Sequence, residues 1–161
     1  MIEIEEMRPN EAREVLSRLN YAHLAMAKDN IPYVVPVHYA FDGHDLFVYT
    51  TEGKKSDIIK VNPETCLQAE DVEDNENWKS VIVSGKAEQI TEDDARQKAL
   101  DLILKINPKM TPAISIRWMD SWVRANIEVI YRIRPRSITG RQTIKRKTGQ
   151  KLPTLTKPKQ A

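Results

Sequence analysis

The 161-residue chain is poor in several residue types, and each scarcity excludes a class of protein. Cys66 is the sole cysteine, which excludes an intrachain disulfide and a four-cysteine metal site. The apolar runs are short, and none approaches the roughly 20 residues that a membrane helix needs. The N-terminal residues are acidic and lack the apolar core of a secretory signal. These absences predict a cytoplasmic globular protein that does not associate with membranes.

The sequence also lacks the spacings of common catalytic and metal sites. His23, His38 and His44 do not form a His-x-x-His or His-Glu-x-x-His pattern, so no metal site is expected. No nucleophile–base arrangement can be argued from the spacing of these residues. The aromatic residues make up 6% of the chain and are not interleaved with basic residues, as an RNA-binding sheet requires. If the protein is an enzyme, we therefore expect a cofactor to carry the chemistry.

Positive charge is concentrated at the C-terminus. Residues 141–161 contain seven Lys or Arg and no acid, so residues 1–140 hold 18 of the 25 bases and all 23 acids. The segment has two prolines and no hydrophobic period, which predicts a basic, flexible tail after one domain over residues 1–140. A solubilising or partner-covering role is the simpler interpretation of the tail. Contact with nucleic acid or membrane phosphates is the alternative.

Alternating apolar residues predict six strands, and turn residues indicate how the first three are joined. Asp42-Gly43 is a strong hairpin signal, and a tight turn at residues 28–30 precedes it, so these three strands are expected to form a meander. Pro32 and Pro36 cannot donate to a strand ladder, which predicts an edge or an opening in the sheet. Gly85 predicts a bulge in the fifth strand.

Helical patterns begin at Pro9, span residues 56–61, and follow Thr91, which is the expected cap of the third helix. A pair of tryptophans, Trp118 and Trp122, would share one helical face if that stretch is helical. Together, six antiparallel strands and two or three helices predict a small barrel or a curled sheet.

The stretch YTTEGKKSDIIKVNP, residues 49–63, predicts an anion site. A strand ends, turns at a glycine and presents Lys54 and Lys55 at the start of a helix, where the unpaired N–H groups already make the field positive. A phosphate fits such a terminus, with Thr50 and Thr51 supplying hydroxyl groups. Two solvated lysines at a turn are an equally good interpretation of the pattern alone.

Five further segments occur in a fixed order: P-Y-V-V-P-V, E-G-K-K, the N-P helix stop, W-x-S-V-x-V-x-G-x-A-E and I-T-G-R. This ordered set, over about residues 8–141, resembles the pyridoxamine 5′-phosphate oxidase-like flavoproteins, and within them the branch related to nitroimidazole resistance. The resemblance implies a mainly β fold. The expected architecture is a six-stranded antiparallel split β-barrel of Greek-key type with two or three peripheral helices.

The resemblance also implies a homodimer that holds FMN in a cleft between the subunits. Lys54 and Lys55 would be the counter-ions of its phosphate, and Tyr49, Thr50 and Thr51 would contact the phosphate and the ribityl chain. It gives no catalytic residue.

In the same family the backbone of a proline-interrupted strand faces the isoalloxazine ring, which here corresponds to Pro36, Val37 and His38. Ser80 falls where the family has a polar contact to the cofactor. The activity implied is an FMN-dependent oxidoreductase that acts on a small molecule, such as a nitro compound or a quinone.

The chain departs from the vitamin B6 oxidases at two places. Its C-terminal strand, YRIRPRSITGRQT, lacks their aromatic and basic substrate motif, so vitamin B6 oxidation is not expected. Lys55 stands where those oxidases have an arginine. Its ammonium group can balance charge but cannot make the bidentate hydrogen bonds of a guanidinium group.

Two other readings stay open. One is a non-catalytic module of the same fold that binds flavin, haem or a deazaflavin. The other is a nucleic-acid-binding protein acting through the tail, which the acidic body disfavours.

Overall fold

The computed structural model describes residues 2–109 and 128–145, and this part of the chain contains seven strands and three helices. In chain order they are β1 (Ile2–Glu6), α1 (Pro9–Arg18), β2 (Tyr21–Lys28), β3 (Ile31–Phe41), β4 (Leu46–Thr51), α2 (Lys54–Val61), β5 (Glu64–Asp74), β6 (Asn77–Gln89), α3 (Asp93–Ile106) and β7 (Glu128–Lys145).

Strands β2 to β7 close into a ring. The sheet has the order β1-β7-β4-β3-β2-β5-β6, and β6 also pairs with β7, all in antiparallel register. After the β2–β3–β4 meander, β5 returns to lie beside β2, which is the Greek-key arrangement. The six-stranded antiparallel barrel and its three helices are therefore confirmed. Strand β1 was not predicted, and it pairs with the far end of β7.

Two tight turns set the register of the meander. Asp29 and Asn30 both have positive φ, 53° and 61°, as a type I′ hairpin requires, and they connect β2 to β3. Between β3 and β4, the Asp42 carboxylate accepts hydrogen bonds from the backbone N–H groups of His44 and Asp45, each 2.7 Å long. Both predicted hairpins are confirmed.

Helices α1 and α2 enclose the barrel interior from the two ends of β2. Helix α1 leads directly into β2 and contributes Ala12, Val15 and Leu16 to the buried core. Helix α2 contributes Ile58 and Ile59, and the Asn62 side chain that follows it donates to the Ala27 carbonyl at the other end of β2, 2.9 Å away.

Helix α3 covers the outside of β3, β4 and β7. Its residues Ala99 and Ile103 form a second buried cluster with Ala40, Ile90 and Ile130. The predicted Thr91 cap is wrong. The Glu92 carboxylate takes that role, accepting from the backbone N–H groups of residues 94 and 95 at 3.1 and 2.8 Å.

The predicted boundary at residue 140 needs correction, because β7 runs to Lys145. Residues 141–145 pair with β1, and Arg141 and Gln142 also pair with β6. The remainder of the tail, both tryptophans Trp118 and Trp122, and residues 122–127 of the predicted sixth strand lie outside the described residues. Within residues 2–109 and 128–145, no helix has the length and apolarity to cross a membrane. The cytoplasmic location stays a prediction.

Candidate functional site

The barrel wall opens beside the first half of β3. From Ile31 to His38, β3 pairs with β2, but β4 pairs with β3 only over the last three residues of that strand. One backbone edge of residues 31–38 therefore has no strand partner in the described part of the chain. Pro32 and Pro36 lie in this stretch, where a missing N–H group interrupts no ladder. The opening predicted from these two prolines is confirmed.

The N-terminus of α2 lies at this opening. Strand β4 leaves β3 after Val48 and continues along β7, and Gly53 then turns the chain into α2. The Lys54 ammonium group lies 4.5 Å from the centroid of the Tyr33 ring, on the open stretch of β3. This cation–π contact brings the start of the helix back to the strand that β4 has left.

The donors in the first turn of α2 are unfilled. The first helical hydrogen bond runs from Asp57 N–H to Gly53 C=O, 3.1 Å, and no side chain caps the terminus. The N–H groups of Lys54, Lys55 and Ser56 thus have no helical acceptor. The Ser56 hydroxyl is also buried, with the residue 1% exposed, and has no hydrogen-bond partner among the residues that the structure describes. An anion would satisfy this set of donors.

Lys55 adds a partly desolvated positive charge to the same turn. It is half-buried, and burial lowers the pKa of its ammonium group. Among the described residues it forms no salt bridge, since the nearby Glu52 carboxylate contacts Lys60 instead, at 3.6 Å. An anion at this position would offset the desolvation of Lys55.

The three β4 residues predicted to contact a cofactor face two ways. Tyr49 packs against the α3 cluster, on the side where the Glu128 carboxylate lies. Burial, followed by the proximity of this carboxylate, raises the pKa of Tyr49 to about 12. Thr50 points to the opposite face, and both it and Thr51 are half-buried next to the α2 turn. The Tyr49 ring is thus part of the packing beneath α3.

The predicted residues of β3 are divided between the outer face of the barrel and its core. The Val37 side chain is 6% exposed and belongs to the core, so only its backbone could face a ligand. Pro36 and His38 are exposed, and the His38 ring makes an edge contact with Tyr21 at 5.6 Å between centroids.

Ser80 is not brought to the α2 turn within one chain. Its hydroxyl accepts a hydrogen bond from the Gln68 amide at 3.1 Å on the outer face of β6. Strand β6 is three strands away from β3, roughly 14 Å at ordinary strand spacing. The alternation along β5 and β6 nevertheless places Ser80 on the same outer face as Pro36 and His38.

Sequence reasoning identified both lysines of the α2 turn but missed Ser56. The local signal was present, because Ser56 is the third residue of a helix whose first two residues are lysines. Its burial could not be deduced, because burial depends on how α2 packs against the barrel. Among the described residues, no cluster of His, Cys, Asp or Glu could hold a metal ion.

The closed ring, the opening along β3 and the uncapped helix beside it define a split β-barrel protein with a helix N-terminus at its opening. Residues 8–142 match the family model described as pyridoxamine 5′-phosphate oxidase. The chain therefore belongs to the pyridoxamine 5′-phosphate oxidase-like family.

One curated relative is an uncharacterized protein of Rhizobium meliloti, 34% identical over 84 residues. The match covers 52% of this chain and 56% of that protein, so it spans little more than half of the relative's length.

Solved structures with the same fold include flavin-related proteins. A FAD-binding protein from Mesorhizobium loti superposes with a TM-score of 0.70 at 26% identity, over 90% of this chain and 100% of that one. A protein named F420 reductase has a TM-score of 0.57 at 25% identity, over 78% and 94% of the two chains. A candidate 5-nitroimidazole antibiotic resistance protein from Bacteroides thetaiotaomicron has a TM-score of 0.69, over 89% of each chain. At 18% identity, the last likeness shows the fold alone.

Proposed function

We propose that this protein is an FMN-binding flavoprotein that reduces a small acceptor of the nitro-compound or quinone type. The observation that carries the proposal is the uncapped α2 turn, where Lys55 has no ion pair and the Ser56 hydroxyl has no partner within residues 2–109 and 128–145. A phosphate monoester suits this donor set, because its oxygens accept several hydrogen bonds and its charge balances the lysines. When bound, the flavin supplies the electron or hydride transfer.

The chain's own residues would bind and orient the cofactor. Lys54, Lys55 and Ser56 would hold the phosphate, with the Thr50 and Thr51 hydroxyls beside it. The backbone of Pro36, Val37 and His38 would face the ring system from the open edge of β3, with the Val37 side chain anchored in the core. Because the Tyr49 ring packs against the α3 cluster, we assign it to positioning β4 rather than to a phosphate contact.

The proposed assembly is a homodimer with the cofactor at the subunit interface. Four large apolar side chains lie exposed on one outer face of β2, β3, β5 and β6: Tyr21 (47% exposed), Val34 (60%), Val72 (57%) and Ile82 (44%). Exposed apolar groups that share a face are typical of an interaction surface. A second copy over this face would cover Pro36, His38 and Ser80 together, which accounts for their common placement.

A deazaflavin is the second candidate cofactor, supported by the likeness to the protein named F420 reductase. The α2 turn alone does not distinguish between cofactors that carry a phosphate. FMN is preferred because the resemblance of the sequence is to FMN proteins. Haem is the third candidate, and a Soret band would identify it.

The first experiment is the visible spectrum of the purified protein with and without added FMN, FAD or a deazaflavin, recorded before and after gel filtration. Retention of a flavin spectrum with FMN supports the proposal. The double variant Lys54→Ala, Lys55→Ala should weaken FMN binding by about 2–4 kcal/mol, because two charged contacts are lost. The matched control is Lys60→Ala, at the other end of α2. Equal FMN affinity in both variants would refute the phosphate assignment.

Turnover is tested separately from binding. The loaded protein is reduced anaerobically with dithionite, excess reductant is removed, and a nitroimidazole or a benzoquinone is added. Two electrons then pass from the reduced flavin to the acceptor, and the oxidised flavin spectrum returns in stoichiometric amount. Binding of FMN without this reoxidation would leave a cofactor-binding module and refute the reductase activity.

The dimer is tested by sedimentation of Val34→Arg and Ile82→Arg, which place charges in the proposed interface. Ile4→Arg is the matched control, since Ile4 is 60% exposed on β1, away from that face. Monomers in the first two variants and a dimer in the control support the assembly. A monomeric parent protein refutes it.

A further inference from the structure

Two adjoining cavities form a groove between α1, β7 and the β5–β6 turn, away from the opening along β3. We name it the α1–β6 groove. The first cavity measures about 210 Å³ and includes Asp71, Glu73 and Trp78; the second measures about 160 Å³ and includes Glu11 and Glu14. Lys79 lines both. Four carboxylates thus face two cations, Lys79 and Arg18, so the groove is net negative.

Two of the four carboxylates already have partners. Asp71 forms a salt bridge with Arg18 at 2.6 Å, and Glu11 accepts from the Arg8 backbone N–H group at 2.8 Å. Glu14 and Glu73, one in each cavity, are exposed and form no ion pair within the described residues. The groove therefore presents two negative charges, Glu14 and Glu73, that have no ion-pair partner within the described residues.

Strand β7 brings the chain to this groove. Gln142 lines one cavity and Thr143 the other, and Thr143 also accepts a hydrogen bond from the Trp78 backbone N–H group at 3.0 Å. The strand ends at Lys145, whose ammonium group lies 3.4 Å from the Glu76 carboxylate on the β5–β6 turn. The next residue of the chain therefore starts at the rim of the groove.

The charge of the following segment complements the groove. Residues 146–161 contain five Lys or Arg and no acid, and they include two leucines. Sixteen residues can extend to roughly 50 Å, so the segment can reach both cavities. Tethering also raises its local concentration to about the millimolar range, which makes weak contacts sufficient.

We propose that residues 146–161 dock in the α1–β6 groove of their own chain, with basic side chains at Glu14 and Glu73. This contact is independent of the cofactor assignment. The segment has the composition of a tail that binds polyanions. Docking in the groove would make its positive charges unavailable to polyanions.

The test is the rate of tryptic cleavage after Arg146, Lys147 and Lys151 in the full chain, followed by mass spectrometry. At low salt the parent should be cleaved slowly, and high salt should speed cleavage because it screens the contacts. The variant Glu14→Gln, Glu73→Gln should be cleaved about fivefold faster at low salt, the effect of losing two exposed ion pairs. The control Asp29→Asn, Asp101→Asn removes the same charge elsewhere and should behave as the parent.

Three results would overturn the proposal. One is equal cleavage of the parent and the groove variant at low salt. The second is the same acceleration in the control, which would indicate a general charge effect. The third is protection that fades on dilution of the protein, which would assign the segment to the groove of another molecule. Peptide fingerprints of the folded part confirm that each variant is intact.

Discussion

At the scale of single residues, two tyrosines in the barrel interior differ by one hydrogen bond. The Tyr39 hydroxyl donates to the Leu16 carbonyl at 2.8 Å and ties β3 to α1, and burial raises the pKa of Tyr39. The Tyr131 hydroxyl is also buried and has no hydrogen-bond partner in the described part of the chain. The pair separates the effect of a hydrogen bond from that of a buried ring.

We expect Tyr39→Phe to lower the free energy of unfolding by about 1–2 kcal/mol, because it leaves a buried carbonyl without that donor. Tyr131→Phe should change it by less than about 0.5 kcal/mol or increase it, since only an unpaired hydroxyl is removed. Urea unfolding of both variants measures the difference. A larger loss for Tyr131→Phe would contradict the assigned hydrogen bonds.

Lys55 links stability to ligand binding. The pKa of Lys55 is lowered, which means that the folded, ligand-free protein disfavours the charged form of this side chain. Burial of the charge therefore opposes folding at neutral pH. This unfavourable contribution to the free energy of folding disappears only above the ordinary lysine pKa. Lys55→Met should therefore stabilise the ligand-free protein by about 0.5–1 kcal/mol and weaken FMN binding. Thermal unfolding without ligand and a fluorescence titration with FMN check the two parts. A destabilised ligand-free variant would contradict the argument.

Residue types predicted where the proposed anion site begins, whereas packing determines which side chains are available there. Lys54, Lys55 and the glycine turn are adjacent in the chain, so their proximity could be predicted from the sequence. The Glu128 carboxylate, which helps to raise the pKa of Tyr49, lies far from Tyr49 in the chain, and its proximity depends on the register of β4 on β7. No pattern around Tyr49 reveals it.

At the scale of elements, the register of β6 and β7 shifts at Gly85. Ser84 and Gly85 pair with Ser137 and Pro135, so the extra residue of the bulge is Arg136 in β7. The predicted bulge is therefore at the expected position along the sheet but in the neighbouring strand. A Cβ atom at Gly85 would overlap the Arg134 carbonyl oxygen. At Gly140 it would meet the Met7 sulfur at 2.6 Å, but that side chain can move.

Gly85→Ala should therefore lower the free energy of unfolding by about 2–3 kcal/mol, because neighbouring backbone has to shift. Gly140→Ala should cost about 1 kcal/mol or less, because a flexible side chain can give way. Chemical denaturation of the two variants is the measurement, and equal losses would show that the bulge can relax.

Two features of the elements, the cap of α3 and strand β1, were not predicted correctly because they depend on more than a single residue or segment. The prediction of a Thr91 cap failed because Glu92 uses its longer side chain to accept from two backbone N–H groups. Strand β1 was missed because Ile2 and Ile4 alternate with acids but remain exposed, at 41% and 60%. Its stability comes from pairing with β7, which cannot be seen from the segment itself.

At the scale of the whole molecule, ion pairs lie across the strands that close the ring. Glu88 on β6 contacts Arg132 at 2.9 Å and Arg134 at 3.6 Å, and Glu64 on β5 contacts Arg136 at 3.0 Å. The hydrogen bond from Arg132 holds the pKa of Glu88 below the ordinary value of a glutamate, and the ion pair with Arg136 does the same for Glu64.

Because the pKa values of Glu64 and Glu88 are lower in the folded state, the ionised carboxylates stabilise the folded protein above the ordinary glutamate pKa. This stabilisation is lost as the pH falls through the pKa values of the folded state. The variant Glu64→Gln, Glu88→Gln should therefore lose less thermal stability than the parent between pH 6 and pH 3. The effect should be modest, since these groups are solvent-exposed, and it should shrink in high salt. Asp29→Asn, Asp101→Asn is the control. An unchanged acid response in the first variant would contradict the role of the pairs.

The ring closure has a consequence for synthesis. Strand β7 pairs with β1, β4 and β6. The barrel strands β4 and β6 therefore cannot complete their hydrogen bonds until residues 128–145 have been synthesised. While the chain is being translated, the meander and the β5–β6 hairpin can form early, but β4 and β6 keep unpaired edges until this strand emerges from the ribosome. Such edges invite pairing with other chains. The nascent protein is thus most exposed to chaperones and to aggregation in the interval just before its last described strand is made.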